Sequence, residues 1–392
     1  MRAPSAVLLL LAAAPVAAAI APGLYDRELQ FGGATRNYKM RVPAGYDGSV
    51  AVPLVVDLHG FLSNAMQQAG ISGMATVAER ETFVLVHPNG LNNAWNAGIC
   101  CGNRGVDDVG FLRQVVAAVE AEVNVDARRI YATGLSNGGA MTHRLACDAA
   151  DLFAAAAPMA FPVPFRPLTG CRPSRAIPVL TFMGLTDTLV HYEGGPFPSA
   201  PETFAYWRDI DGCGDGAPDQ RVEQGLSRCE TYTSCTNGVQ AGLCSITARS
   251  FGGSPIDGHV LYLNDDFVLA DVAWSFLKQF TLPDARSPVR GSVTGTSRLG
   301  RRGERPTKET VTWAVTFGDG TWVVEDAAAG TVYTGSARRL RRGRRVVLGL
   351  TADARTALLG VLAAKRGEAL TLGDTKLVAR VSRRRLQIGG RV

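Results

Sequence analysis

Residues 130–140 read I-Y-A-T-G-L-S-N-G-G-A, and within them Gly134, Leu135, Ser136, Asn137 and Gly138 form a G-x-S-x-G pentapeptide between an apolar run and a helical pattern. A serine on so sharp a strand-to-helix turn needs glycines beside it, because Cβ atoms there would collide with the neighbouring strand and helix. Such a turn lifts the hydroxyl above the sheet edge and sets a helix N-terminus beneath a developing oxyanion. The chemistry this implies is acyl transfer by an activated serine. It requires an acid and a histidine later in the chain, in the order Ser, acid, His.

Only five histidines exist, so the base is found by elimination. His59 closes an apolar run and precedes Gly60, a place for shaping an oxyanion loop. His87 precedes a proline at a strand end, and His143 lies two helical turns beyond Ser136, where packing or surface roles are expected. His259, in I-D-G-H-V, follows Gly258 in a loop before a helical segment and is the expected base, with His191 as competitor. Asp187, in M-G-L-T-D-T-L-V, sits just past an apolar run; a carboxylate there would accept from the imidazole Nδ1–H and fix its tautomer. A turn-capping role is the alternative for Asp187. The oxyanion donors are expected to be the N–H of Asn137 and that of Phe61, with Leu62 competing for the second place.

The elements that must position these residues are legible as short apolar runs at 53–58, 83–86, 130–133, 153–159 and 178–182. Runs without alternation read as buried parallel strands. Between them, residues 106–123 place Val109, Leu112, Val116, Val119 and Val123 at helical spacing behind Asp107 and Asp108, which suit a helix start. Residues 137–147 and 265–280 also read as helices. Strand and helix in alternation give an α/β class with a mostly parallel sheet. Residues 193–258 interrupt the rhythm as a Gly-, Pro-, Ser- and Thr-rich excursion with an amphipathic stretch around 204–210.

The 392 residues are 46% hydrophobic and 19% charged, which excludes a wholly disordered chain. Charge is divided: residues 283–392 carry 22 Lys and Arg against 9 Asp and Glu, a net of +13, while residues 1–282 carry −7. The sequence therefore divides into a signal peptide at 1–20, a domain at 21–282, and a small basic β-rich domain at 283–392 entered through a polar linker. In the last, alternation at 311–317, a G-D-G turn at 318–320 and strands near 321–324, 331–333 and 376–381 are expected, with a helix at 352–364. Its arginines at 338, 339, 341, 342, 344 and 345 fit an anionic surface or plain solvation; no nucleic-acid module is recognisable. Trp313, Trp322 and Tyr333 fit either a flat sugar-binding face or core packing.

Arg2 ahead of the small and aliphatic run 6–20 is the pattern of a secretory signal peptide, cut near Ala17, Ala18 and Ala19. Eight cysteines, all before residue 283, imply four disulfides in an oxidising compartment. No C-x-x-C pair is present, so no metal is expected. Adjacent Cys100 and Cys101 are expected to reach outward to Cys147 and Cys171, since a ring closed between neighbours is strained. Cys213, Cys229, Cys235 and Cys244 would then pin the excursion.

The segments L-H-G, H-P-N-G-L-N-N-A-W-N-A-G-I-C-C-G, V-D-D-V-G-F-L and G-L-S-N-G-G-A-M, together with Asp187, resemble the secreted esterase family of polyhydroxybutyrate depolymerases and feruloyl or acetylxylan esterases. The resemblance covers residues 25–280. It implies an α/β-hydrolase fold, no cofactor, and Trp95 near the substrate groove, with a core aromatic as the alternative for that residue. Met183-Gly184 ahead of the acid, and Val260-Leu261-Tyr262 after His259, depart from the family's usual pattern and leave acyl preference open. The function expected is that of a secreted serine ester hydrolase on polymeric esters, feruloyl esterase-like or else polyhydroxybutyrate depolymerase-like. A non-catalytic secreted binding protein is the reading from another class.

Overall fold

The computed structural model describes residues 20–282 apart from 99, 102–104, 165–169, 252–253 and 256; beyond 282 it describes strands alone. The chain divides into two compact units, Met1–Leu282 and Pro283–Val392. The expected signal peptide (save Ile20), the helix at 352–364 and Arg341, Arg342 and Arg344 lie outside the described residues.

The first unit is built on one ten-stranded sheet. Its strands are β1 (Gly23–Phe31), β2 (Ala34–Val42), β3 (Val52–Leu58), β4 (Val84–Pro88), β5 (Val125–Leu135), β6 (Ala155–Met159), β7 (Val179–Gly184), β8 (Gln220–Gln224), β9 (Ser227–Tyr232) and β10 (Ala241–Ile246). They lie in the order β1-β2-β4-β3-β5-β6-β7-β10-β9-β8. The run from β4 to β10 is parallel, and the pairs at both edges are antiparallel. Strands β3, β4, β6 and β7 are buried at every position, which is why they read as unbroken apolar runs.

Helices cover both faces. They are α1 (Ala65–Ile71), α2 (Met74–Glu81), α3 (Asp108–Glu122), α4 (Asn137–Asp148), α5 (Ala200–Ile210) and α6 (Leu269–Leu277). Leu54, Val56 and Leu58 of β3 pack with α3 and α4 residues such as Phe111, Leu112 and Met141. Val55 points the other way, into a core shared with Met74 and Val77 of α2 and Trp274 of α6. This is the two-period of a strand sorting its side chains between two helical layers. The fold is thus α/β with a mostly parallel sheet, and β5 at its centre feeds α4 through the Ser136 turn.

Three groups of elements were not expected. The hairpin β1–β2 alternates, as a half-exposed pair should. Helices α1 and α2 are short, and α1 is capped by Asn64, whose side chain accepts from the N–H groups of Met66 and Gln67. The excursion contributes β8, β9 and β10, and β10 extends the parallel sheet beside β7.

The disulfides correct the expected pairing: Cys100 joins Cys101, and Cys147 joins Cys171. Cys147 lies in the last turn of α4 with its Cα 5.2 Å from that of Cys171, so these two satisfy one another and leave no outward partner for Cys100 or Cys101. Within the excursion Cys213 joins Cys235, and Cys229 joins Cys244, its cross-strand neighbour.

In the second unit, eight strands from Val289–Leu299 to Arg385–Gly390 close into an antiparallel barrel, completed by the pair Ser292 and Thr371. Closure removes the free strand edges that a small sheet otherwise exposes.

Candidate active site

Ser136 stands between β5 and α4 at φ 56°, ψ −120°, a conformation a non-glycine residue adopts only when its surroundings impose it. The imposing contacts are visible. The Ser136 N–H donates to the Met159 carbonyl at 2.8 Å, which ties the turn to β6. A Cβ on Gly138 would overlap the Leu58 carbonyl, so the first turn of α4 sits against β3 only because residue 138 has no side chain.

His259 Nε2 lies 2.9 Å from Ser136 Oγ, and His259 Nδ1 lies 2.8 Å from Asp187 Oδ2. The carboxylate can only accept, so Nδ1 carries the proton and the Nε2 lone pair faces the hydroxyl. Asp187 is 3% exposed, and its Oδ1 accepts from the Leu189 and Val190 N–H groups at 2.9 and 2.8 Å, which fixes the carboxylate plane.

The acid loop and the histidine loop are joined backbone to backbone. Gly258 N–H donates to Thr186 O at 3.2 Å, and a Cβ on Gly184 would overlap the Gly258 carbonyl. Asp257 fastens the same junction, accepting from the His259 N–H at 2.8 Å and from the Thr188 hydroxyl. Partial burial pushes the Asp257 carboxyl up, but the Thr188 hydroxyl and the His259 N–H outweigh it and hold its pKa below the usual range.

Asn137 is the first residue of α4, so its N–H has no acceptor within the helix. The Leu62 N–H is spent on Asn93 O at 2.8 Å, which favours Phe61 over Leu62 for the second donor. His59 shapes this loop. The Gly90 N–H donates to its Nε2 at 2.9 Å, so Nδ1 carries the proton and donates to Gly60 O at 2.7 Å. Burial lowers the His59 pKa, which keeps the ring neutral in that role.

Of the two readings of Trp95, near the groove or in the core, its burial fits the core aromatic. It is 0% exposed, and its Nε1–H donates to the His59 carbonyl at 2.9 Å. Its main chain pairs with the Asn137 side chain, Trp95 N–H to Oδ1 at 2.7 Å and Nδ2–H to Trp95 O at 3.1 Å. An indole with its N–H satisfied inside the core braces the loop at His59 and Gly60. His143 is likewise internal: it accepts from Trp207 Nε1–H at 3.0 Å and donates to Phe161 O, and burial lowers its pKa to about 3. His191, the competing base, is exposed.

Above Ser136 lies a cavity of about 450 Å³, walled largely by apolar groups including Phe161, Phe197, Leu189 and the Cys100–Cys101 bridge. Among the described residues no helix is long and apolar enough to cross a membrane, and no cluster of three His, Cys, Asp or Glu could hold a metal ion. Sequence reasoning missed Gln68 and Asp57, which sit beside the site. An aspartate within an otherwise apolar strand was the available signal for the second.

A parallel sheet flanked by helices, with a serine on the tight turn after its central strand, defines the α/β-hydrolase fold. Residues 37–163 match the family model described as Esterase PHB depolymerase. The chain is 33% identical over 264 residues to feruloyl esterase B of Piromyces equi, covering 63% of this chain and 46% of that protein. It is 26% identical over 273 residues to the bifunctional acetylxylan esterase/xylanase XynS20E of Neocallimastix patriciarum, covering 66% of this chain and 36% of the relative. An acetyl xylan esterase structure from Aspergillus awamori aligns with a TM-score of 0.46 at 17% identity, covering 65% of this chain and 99% of that one. Over these residues the chain is similar to the esterase family of polyhydroxybutyrate depolymerases and feruloyl and acetylxylan esterases. It spans about half the length of the curated relatives it matches.

Proposed function

We propose that the protein is a secreted serine carboxylic-ester hydrolase of the feruloyl esterase type, acting on hydroxycinnamoyl esters of plant polysaccharide. The observation that carries the proposal is the continuous hydrogen-bonded chain from Ser136 Oγ through His259 to Asp187. Ser136 Oγ attacks the ester carbonyl while His259 Nε2 takes its proton, and the imidazolium is stabilised by Asp187. The tetrahedral oxyanion faces the N–H groups of Phe61 and Asn137. Collapse expels the alcohol, protonated by His259, and leaves an acyl-enzyme; water activated by the same imidazole then releases the acid and restores Ser136.

The acyl preference is supported by the apolar groove and by the similarity to feruloyl esterase B of Piromyces equi. A polyhydroxyalkanoate ester is the second reading, favoured by the family description of residues 37–163. Export is supported by four disulfides, which persist in oxidising compartments. We read the +13 charge of residues 283–392 as a contact surface for anionic polymer.

Ser136→Ala and wild type are compared on methyl ferulate, acetylated xylan and hydroxybutyrate oligomers. Loss of at least ~10³-fold in kcat is expected on the preferred ester. Equal turnover by both proteins, or none by either on any ester, overturns the reading in favour of a binding protein.

A further inference from the structure

Gln68 occupies an unusual position beside Ser136. It lines the groove, yet its side chain is 0% exposed. Its Nε2 donates to Asp57 Oδ1 at 2.7 Å and to the Tyr262 hydroxyl at 3.2 Å, while its Oε1 meets no hydrogen-bond donor among the described residues. The amide cannot simply be turned over, because that would set its oxygen against the Asp57 carboxylate. Asp57 is itself fixed: it is 0% exposed, and its second oxygen lies 3.2 Å from His87 Nε2. A buried carbonyl oxygen locked in this way is a costly group to leave unpaired.

The other polar side chains on the groove wall are already occupied. Ser136 and His259 face each other, and the Ser63 hydroxyl donates to Gln67 Oε1 at 2.9 Å. The remaining walls are largely apolar, so among the side chains lining this groove Gln68 holds the unpaired acceptor.

We infer that Gln68 is a specificity-determining residue whose Oε1 accepts a hydrogen bond from a hydroxyl group of the bound ester, with Asp57 and His87 setting its orientation. The inference rests on the esterase reading above and deepens it. Two parts of such an ester carry hydroxyls, the phenol of a hydroxycinnamoyl acyl group and the sugar of the alcohol side. Both present the same donor chemistry.

The experiment uses the full chain and two substrate pairs. In the acyl arm, methyl ferulate is set against methyl 3,4-dimethoxycinnamate, which lacks the phenolic hydrogen. In the alcohol arm, a feruloyl ester of arabinose is set against the same ester with its sugar hydroxyls methylated. Wild type is expected to prefer the hydroxyl-bearing ester about tenfold in kcat/KM in one arm. Gln68→Met reduces that ratio to about one, and Asp57→Asn, which frees the amide to turn, lowers it as well. The arm that responds identifies the hydroxyl. Wild type without discrimination in either arm overturns the inference even where the variants fail to fold, as does a ratio unchanged in Gln68→Met. Because each ratio is taken on Ser136-dependent turnover, failure here is distinct from failure of the esterase reading.

Discussion

Removing the charge of Asp108 gives a sharp test of how the segment around Trp95 is supported. The Asp108 Oδ1 pairs with Arg36 Nη2 at 2.8 Å, with the two side chains 0% and 3% exposed. Its Oδ2 accepts from the Asn96 N–H at 2.7 Å, next to Trp95, and Arg36 lies over the Phe111 ring at 3.7 Å while also donating to Asn89 O. In Asp108→Asn one carbonyl oxygen replaces two carboxylate oxygens, so the new NH₂ faces a donor and the Arg36 charge stays buried without a counter-charge. Breaking a buried pair from one side costs about 3–5 kcal/mol, against about 0–1 kcal/mol for an exposed pair. For a unit of this size each kcal/mol moves the midpoint by about 2–4 °C, so a fall in Tm of about 6–20 °C is expected. The assay is thermal and urea unfolding of wild type, Asp108→Asn, Arg36→Met and the double variant Arg36→Met/Asp108→Leu, with activity followed in parallel. The double variant should cost less than either single one, because it buries no lone charge. A single-variant loss under about 1 kcal/mol, or a double variant equal to the sum of the singles, would refute the reasoning.

Two further perturbations probe other parts of the molecule. Asp211 is buried, which raises its carboxyl pKa to about 8 even though the Ile177 N–H and Arg175 pull it down. Between about pH 4 and pH 8 the unfolded chain has therefore lost a proton that the folded one keeps, so this group makes stability fall as pH rises, by a total on the order of 5 kcal/mol. Asp211→Asn should flatten that fall in urea midpoints measured at pH 5 and pH 8, and an unchanged slope would count against it. Gly184→Ala places a methyl on the Gly258 carbonyl and drives the acid and histidine loops apart. A displacement near 1 Å should lower kcat by about 100-fold with KM little changed. Full kcat in a folded variant would show that the loops yield independently.

The residues with the most distinctive local chemistry were the most legible. Ser136 announces its turn through flanking glycines that the backbone requires, and five histidines leave few candidates for a partner. The strands at 53–58 and 178–182 were readable because burial on both faces removes polar residues. What escaped has physical reasons. Strand β10, A-G-L-C-S-I, is made mostly of small residues within a Gly- and Ser-rich stretch, and its pairing with β7 and β9 makes it a strand. Hairpin β1–β2 carries its alternation beside Gly32 and Gly33, but alternate side chains in it are mostly polar, so no apolar run marks it. Trp95 was placed near the groove by family resemblance, whereas its burial depends on Asn137 and His59, which come together only in the fold. The Cys100–Cys101 bridge was rejected on local strain, a criterion that ignores how Cys147 and Cys171 are held together by α4 and the segment after β6.

The four covalent links span 1, 24, 22 and 15 positions, whereas His259 stands 72 from Asp187 and 123 from Ser136. Oxidation therefore closes only neighbouring stretches of the nascent polypeptide, and turnover waits for residues far apart along the chain to meet, the slow class of event. Thiol consumption and assembly of the site are consequently separate clocks: a chain with no titratable sulfhydryl left can still be immature.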